Sequence, residues 1–419
     1  MPPRFLERME RQTATMNTVF GGSHADPPPY PYSRTRSSTA ISQGSSLSQP
    51  LDKALPTPPP TYRPLEQTQD LERFALPKGS LVLVTGANGW HSMHICDQLL
   101  QHGYRVRGTV RDEQKAMSMA KYFEAEYGAA QFQPAIVPDM VVQGAYSAAV
   151  KGCTGVVHSA SVMTFDTDPH KVVTPSIAGA LHALEAAAAE PGVRRFVYCS
   201  ATAAAVMQGD GKRNEVTHES WNMAAFRTAW ETASDDEARG FAVFASSKMQ
   251  TEQAVWRWYR AKRPLFTLNT VLPGVLWGAV LDPYCQAKRT SVAQLGLMFE
   301  GDAAATAWIP PQYFVDVQDS ALLHVAALIL PDVRGQRIFA AESPYNINSV
   351  LQLLCMIYPN RVFNGDVSDH GIDLTIFKEA PYAEGLLKRM GKEGWTDLET
   401  SLSRNCEAFL DDGDQKAAL

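Results

Sequence analysis

An apolar run, Leu81-Val82-Leu83-Val84-Thr85, passes straight into Gly86-Ala87-Asn88-Gly89-Trp90-His91-Ser92 and then into a helical pattern from Met93 to His102. Gly-x-x-Gly at such a junction has the spacing of a dinucleotide-phosphate cradle. Gly86 permits the tight turn, Gly89 lets backbone N–H groups approach a pyrophosphate, and the following helix offers the anion its positive end. A second apolar strand ends in Thr109-Val110-Arg111, with Lys115 four residues on. An acidic residue there would accept hydrogen bonds from an adenosine ribose, whereas two cations can converge on a 2′-phosphate. The pair favours NADP (NADPH) over NAD; the alternative for Arg111, beside Asp112, is a solvated helix-start residue. Asp139, ending the third strand, suits an adenine amino group or else simply caps that strand. Asn88, Trp90, Met140 and Ser159 complete the candidate cofactor-binding set.

These residues need a scaffold, and the pattern from Leu81 onward supplies one. Short β-branched runs alternate with helical stretches, the signature of βαβ units and a parallel sheet. The runs predict strands at 81–85, 105–110, 135–138, 155–160, 195–200, 266–271 and 337–341, with the longest helices at 172–189 and 245–260. The fold class is therefore α/β, a Rossmann-type doubly wound parallel sheet, with a smaller C-terminal substrate-binding part and an N-terminal tail. The expected division is a disordered tail over 1–76, a dinucleotide-binding domain over 77–275 to which 315–342 returns, and substrate-facing elements from 276–314 and 343–419.

The chain has 419 residues, 45% of them hydrophobic, enough for a large core. Its 38 basic residues against 44 acidic ones, a net charge of −6, argue against nucleic acid or an anionic membrane as a main partner and leave a small molecule as the default. The six cysteines are widely spaced with no Cys-x-x-Cys, which fits a reducing cytoplasm. No apolar run approaches the length of a membrane helix, and the N-terminus lacks the apolar stretch of a secretory signal. Residues 1–76 hold 12 of the 27 prolines. Within them Pro27-Pro28-Pro29-Tyr30 has the form of a WW-domain ligand, though a proline-rich tail also yields such a run by composition alone.

Together these blocks resemble an extended short-chain dehydrogenase/reductase of the NAD-dependent epimerase/dehydratase superfamily, in the branch of dihydroflavonol 4-reductases and fungal aldehyde and methylglyoxal-type carbonyl reductases. The resemblance spans about 80–405. It rests on the cradle itself, Val106 to Asp112, Val137-Pro138-Asp139-Met140, Val157-His158-Ser159-Ala160-Ser161 and Arg194 to Ser200. It continues through Glu219-Ser220-Trp221-Asn222, Ser247-Lys248 with Glu252, Pro273-Gly274 and Phe314-Val315-Asp316-Val317. Ser92 meets the family's need for a small third residue in the turn, while Trp90 and His91 replace its usual Phe-Ile.

The resemblance implies a Ser–Tyr–Lys set, in which tyrosine protonates the carbonyl oxygen, lysine holds the nicotinamide ribose and lowers the tyrosine pKa, and serine hydrogen-bonds the carbonyl. Lys248 matches the lysine. The tyrosine position is Phe244, whose ring has no proton to give, and the serine position is Ala201. Ser200 and Thr202, flanking Ala201, are candidate substitutes, as are Ser246, Ser247 and His158. Losing general-acid help costs about 10²–10⁴ in rate, which leaves orientation and proximity intact. The expected activity is NADP(H)-dependent reduction of a carbonyl, or oxidation of a hydroxyl, on a small hydrophobic metabolite of secondary metabolism, with atypical proton delivery. The alternatives are a non-redox isomerase or cyclase on the same scaffold and a non-catalytic NADP-binding protein.

Overall fold

The computed structural model describes residues 74–231, 237–282, 290–302, 309–363 and 371–410. The proline-rich tail, with Pro27–Tyr30, lies outside them. In chain order the elements are β1 (Leu81–Thr85), α1 (Trp90–Gln101), β2 (Arg105–Val110), α2 (Glu113–Tyr127), β3 (Phe132–Ile136), β4 (Gly155–His158), α3 (Pro169–Ala189), β5 (Arg195–Cys199), β6 (Glu215–Val216), α4 (Met223–Glu231), α5 (Glu237–Lys262), β7 (Thr267–Pro273), β8 (Val275–Trp277), α6 (Thr290–Phe299), β9 (Gln312–Asp316), α7 (Val317–Ile329), β10 (Arg337–Ala340), β11 (Ser343–Tyr345), α8 (Ile347–Ile357), β12 (Ile376–Phe377), α9 (Ala380–Arg389) and α10 (Leu398–Cys406).

Seven strands form one sheet in the order β10-β7-β5-β4-β1-β2-β3, and all of its pairings are parallel. This is the doubly wound α/β sheet the alternation predicted. Its strand order reverses beside β1, where β2 lies on one side and β4 on the other, so the ends of β1 and β4 open a crevice suited to a ligand. β11, β9 and β8 make a separate three-stranded sheet, and β12 pairs with β6.

The central strands are buried along their length, as strands covered on both faces must be. One face packs on α1 and α7; every residue of α7 except Gln318 is buried. Arg195 secures that helix. Its guanidinium donates to the carbonyls of Leu328 at 2.8 Å, Ala327 at 3.1 Å, Leu330 at 2.6 Å and Val333 at 2.8 Å, satisfying the end of α7 with a positive charge. The other face packs on α3 and α5. α3 corrects one expectation: at 21 residues it is long and apolar enough to cross a membrane by length and composition. Half of it is buried against the sheet and α5, which accounts for its apolar character as a core helix.

Boundaries moved where local chemistry intervened. The third strand runs over 132–136 rather than 135–138. It takes in Pro134, which an edge strand tolerates because a proline nitrogen can face away from the ladder. α3 begins at Pro169, whose preceding Asp168 accepts from the His170 N–H at 2.9 Å as an N-cap. α5 begins at 237, eight residues before the sequence pattern became helical.

Candidate active site

The cradle is built as the glycine spacing requires. Gly86 has φ +64°, a conformation that L side chains rarely adopt, and a Cβ there would stand 3.1 Å from the Ala160 backbone. The Gly86 N–H donates to Thr109 Oγ1 at 3.0 Å, the Ala87 N–H donates to the Thr109 carbonyl at 2.8 Å, and the Gly89 N–H returns to Gly86 O at 2.9 Å. Gly89 is the N-cap of α1 and contributes no side-chain cap, so the positive end of the helix is left facing the crevice. The Thr85 hydroxyl accepts from the N–H groups of Ser159 at 3.1 Å and Ala160 at 3.0 Å, joining β1 to β4. Ser92 donates its hydroxyl to Ser159 at 2.9 Å. These are the marks of a backbone surface shaped for a dinucleotide, and the residues present fit one.

At the end of β2, Arg111 is exposed. Lys115 lies 2.5 Å from Asp112, whose carboxylate also accepts from the Lys115 N–H at 2.9 Å as the N-cap of α2. That ammonium is the main reason the Asp112 carboxyl is held below its usual range. Of the two cations expected to converge on a phosphate, Lys115 is thus already shared with Asp112. Asp139 accepts from the Val141 N–H at 2.8 Å, so one of its oxygens closes a turn. Met140 packs beneath α3, where a Cβ on Gly179 would stand 2.8 Å from its sulfur, and its carbonyl meets His182 Nδ1 at 3.2 Å. Asn88 is half-buried in the turn, and Trp90 is buried against Val292 and Val317.

Phe244 and Lys248 are one turn apart on α5, so their side chains share a face. Lys248 is buried and donates from Nζ to the Cys199 carbonyl at 3.2 Å. Burial lowers the pKa of its ammonium, while Cys199 and Glu252 act the other way. The ring of Phe244 lies 5.1 Å from that of Phe165 and 6.1 Å from that of Phe241. Ala201 and Met207 pack into the same apolar cluster, so the positions of the missing serine and tyrosine adjoin a common hydrophobic surface.

Phe165 is a residue that sequence reasoning missed. Its φ of +53° is unusual for a bulky side chain, and a Cβ on Gly240 would come within 2.6 Å of its carbonyl oxygen. Gly240 thus allows the loop after β4 to close on α5. The signal, a glycine one turn before Phe244, gives no hint of its partner.

The hydroxyls flanking Ala201 are directed into the protein. Ser200 donates to Glu252 Oε2 at 2.8 Å, and Thr202 bonds Gln208 Oε1 at 3.0 Å and the Pro273 carbonyl at 3.3 Å. Ser247 donates to the Phe244 carbonyl at 2.8 Å, and Ser246 accepts from Gln250 at 2.9 Å. His158 meets Thr85 Oγ1 at 3.0 Å through Nδ1. Burial first, then Lys248, pushes its pKa down to about 3, so the imidazole is neutral near pH 7.

Glu252, one turn beyond Lys248, ties the site to the sheet. Besides Ser200 it accepts from Thr270 at 2.8 Å, Trp256 at 3.3 Å and Arg337 at 2.8 and 3.2 Å. Arg337 in turn donates to the carbonyls of His218 at 2.7 Å and Ser220 at 2.9 Å and lies 4.0 Å over the Trp221 ring. The 218–221 block is thereby anchored as structure.

Comparison with known proteins agrees with this geometry. Residues 82–270 match the model of the NAD dependent epimerase/dehydratase family. The chain is 40% identical over 334 residues to aldehyde reductase 2 of Sporidiobolus salmonicolor, covering 79% of this chain and 96% of that one. It is 33% identical to a ketoreductase of Penicillium rubens, covering 79% and 97% respectively. Among solved structures, the yeast methylglyoxal/isovaleraldehyde reductase complexed with NADPH superposes with a TM-score of 0.66 at 23% identity, over 81% of this chain and all of that one, a likeness of fold. The aldehyde reductase, 40% identical over 96% of its length, on a cradle and sheet of this form, places the chain in the NAD-dependent epimerase/dehydratase family, within the extended short-chain dehydrogenase/reductases.

Proposed function

We propose that this chain is an NADP(H)-dependent oxidoreductase that reduces a carbonyl on a small hydrophobic metabolite of secondary metabolism, with the proton drawn from Lys248 rather than from a phenol. The observation that carries the reading is the pairing on α5 of an intact, buried Lys248 with Phe244 in an apolar surface. When bound, NADPH would supply the hydride for the carbonyl carbon. Gly86, Gly89 and the start of α1 would hold the pyrophosphate, and Arg111 would meet the 2′-phosphate, with Lys115 shared between it and Asp112. Asn88, Trp90, Asp139, Met140 and Ser159 line the rest of the cofactor path.

The protein must then deliver one proton to the carbonyl oxygen. Ser200 and Thr202 are committed to internal partners and His158 is neutral, whereas the Lys248 ammonium, which gives one N–H to the Cys199 carbonyl, has two more protons, and its lowered pKa makes it a stronger acid than a free lysine. It donates directly or through a water seated where a phenol oxygen would lie, and is reprotonated from solvent afterwards. Phe165, Phe241, Phe244, Ala201 and Met207 select an apolar substrate and exclude water. The names of the similar proteins, an aldehyde reductase and ketoreductases, support carbonyl chemistry. The cysteines among the described residues are free thiols, which supports a reducing, cytoplasmic setting.

The test is NADPH oxidation by the full chain against a panel of aldehydes and ketones, with the A201S/F244Y protein beside it. Turnover by the native chain that Lys248→Met abolishes, with NADPH still bound, is the expected result. Activity in the restored protein alone would sink the lysine mechanism and turn attention to non-redox chemistry, such as isomerisation or cyclisation, in the same cleft.

A further inference from the structure

Three side chains that the reaction above does not use meet beneath the site. His91 comes from the first turn of α1, Cys199 is the last residue of β5, and His324 lies in the middle of α7. All three are more than nine-tenths buried, and each offers a donor atom within 4.8 Å of the other two. His91 Nδ1 is 3.6 Å from Cys199 Sγ, and the rings of His91 and His324 stand edge to face with centroids 4.7 Å apart. His324 Nδ1 is bonded to the Ser320 carbonyl at 2.8 Å. Such a bond fixes the tautomer and leaves Nε2 as the bare donor, the usual outer support of a metal-bound imidazole. His324 Nε2 and His91 Nε2 are both buried without a hydrogen-bond partner. A buried polar nitrogen left unpaired is costly, so a pair of them beside one thiol calls for a ligand.

We propose that His91, Cys199 and His324 form a three-coordinate site for Cu(I). One sulfur and two imidazole nitrogens are soft-to-borderline donors, the set that suits Cu(I) or Zn(II) and not the hard, oxygen-seeking cations. Charge decides between the two. On binding, Cys199 loses its thiol proton to solvent as the metal–sulfur bond forms, and the imidazoles stay neutral. Cu(I) then gives an uncharged centre, whereas Zn(II) would leave a net positive charge in the interior next to the Lys248 ammonium. Coordination number agrees. Among the described residues the cluster contains three ligands and no carboxylate, too few for a closed tetrahedral zinc site. The assignment is independent of the reductase reading, since side chains alone hold the ion.

The experiment uses the full chain with Cys285 and the exposed Cys355 replaced by serine, so that these thiols do not capture copper. Cu(I) is titrated anaerobically against a chromogenic chelator. One equivalent withdrawn from the chelator is expected, with X-ray absorption showing one sulfur and two nitrogens around copper. Cys199→Ala and His324→Gln should each lose that equivalent while keeping a cooperative thermal transition. His91→Ile, which restores an aliphatic side chain at the helix start, serves as a third variant if either fails to fold. Copper bound equally well by the variants, a coordination shell lacking the sulfur or either nitrogen, or retention of Zn(II) with no Cu(I) uptake would each overturn the assignment.

Discussion

Arg337 lies against Glu252 in the interior, Nε to Oε1 at 2.8 Å and Nη2 to Oε2 at 3.2 Å, with side-chain exposures of 6% and 0%. Glu252→Gln leaves the guanidinium without its counter-charge and should destabilise the protein by about 3–5 kcal/mol. Denaturant unfolding measures this, and a loss below about 1 kcal/mol would contradict the arrangement.

Arg111 and Lys115 should not weigh equally in cofactor choice, because Lys115 is already held by Asp112. Arg111→Ala is expected to weaken NADPH binding by about tenfold to a hundredfold, the worth of a charge-assisted hydrogen bond, while leaving NADH nearly unchanged. Lys115→Ala should cost clearly less. Calorimetric titration with both cofactors reads the difference, and equal effects from the two variants would refute it.

A methyl group at Gly108 would stand 2.5 Å from the Phe132 ring and 2.6 Å from Ala87 Cβ. Gly108→Ala should therefore cost about 1–3 kcal/mol by overpacking, and because Ala87 belongs to the cradle it should weaken NADPH binding as well. A thermal shift without any change in cofactor affinity would separate the strand from the cradle.

Asp97, buried in α1 and accepting from Tyr127 and, at 2.8 Å, from Gln101, has its pKa raised by burial to about 6. The folded state thus holds its proton more tightly than the unfolded chain does. Its favourable contribution is complete below about pH 4 and is lost as pH rises from about 4 to about 6. Asp97→Asn removes that dependence, so the variant should gain about 2–3 kcal/mol relative to the native protein between pH 4 and pH 7. Urea unfolding at the two pH values checks the sign, and a gain in the opposite direction would refute it.

Local, contiguous signals were the legible ones. β1, its glycine turn and α1 are adjacent in the chain, so spacing alone described the cradle, and Phe244 and Lys248 could be compared because one helical turn joins them. The surroundings were not legible. Phe165 reaches Phe244 only because Gly240 admits the loop after β4, and His91, Cys199 and His324 meet only because the strand order brings three distant elements together. The role of Lys115 changed for a similar reason: periodicity placed it near Arg111 but could not show that Asp112 would claim it.

The apolar surface shared by Ala201 and Phe244 also has a genetic side. Phenylalanine and tyrosine codons differ at one base, as do alanine and serine codons, whichever synonym is used. Both missing oxygens are therefore a single point mutation away, on a backbone that already holds Lys248 in place. A randomly mutated library of this chain would contain each restored hydroxyl among its commonest members, so a growth selection on carbonyl detoxification could show directly which of the two a cell prefers.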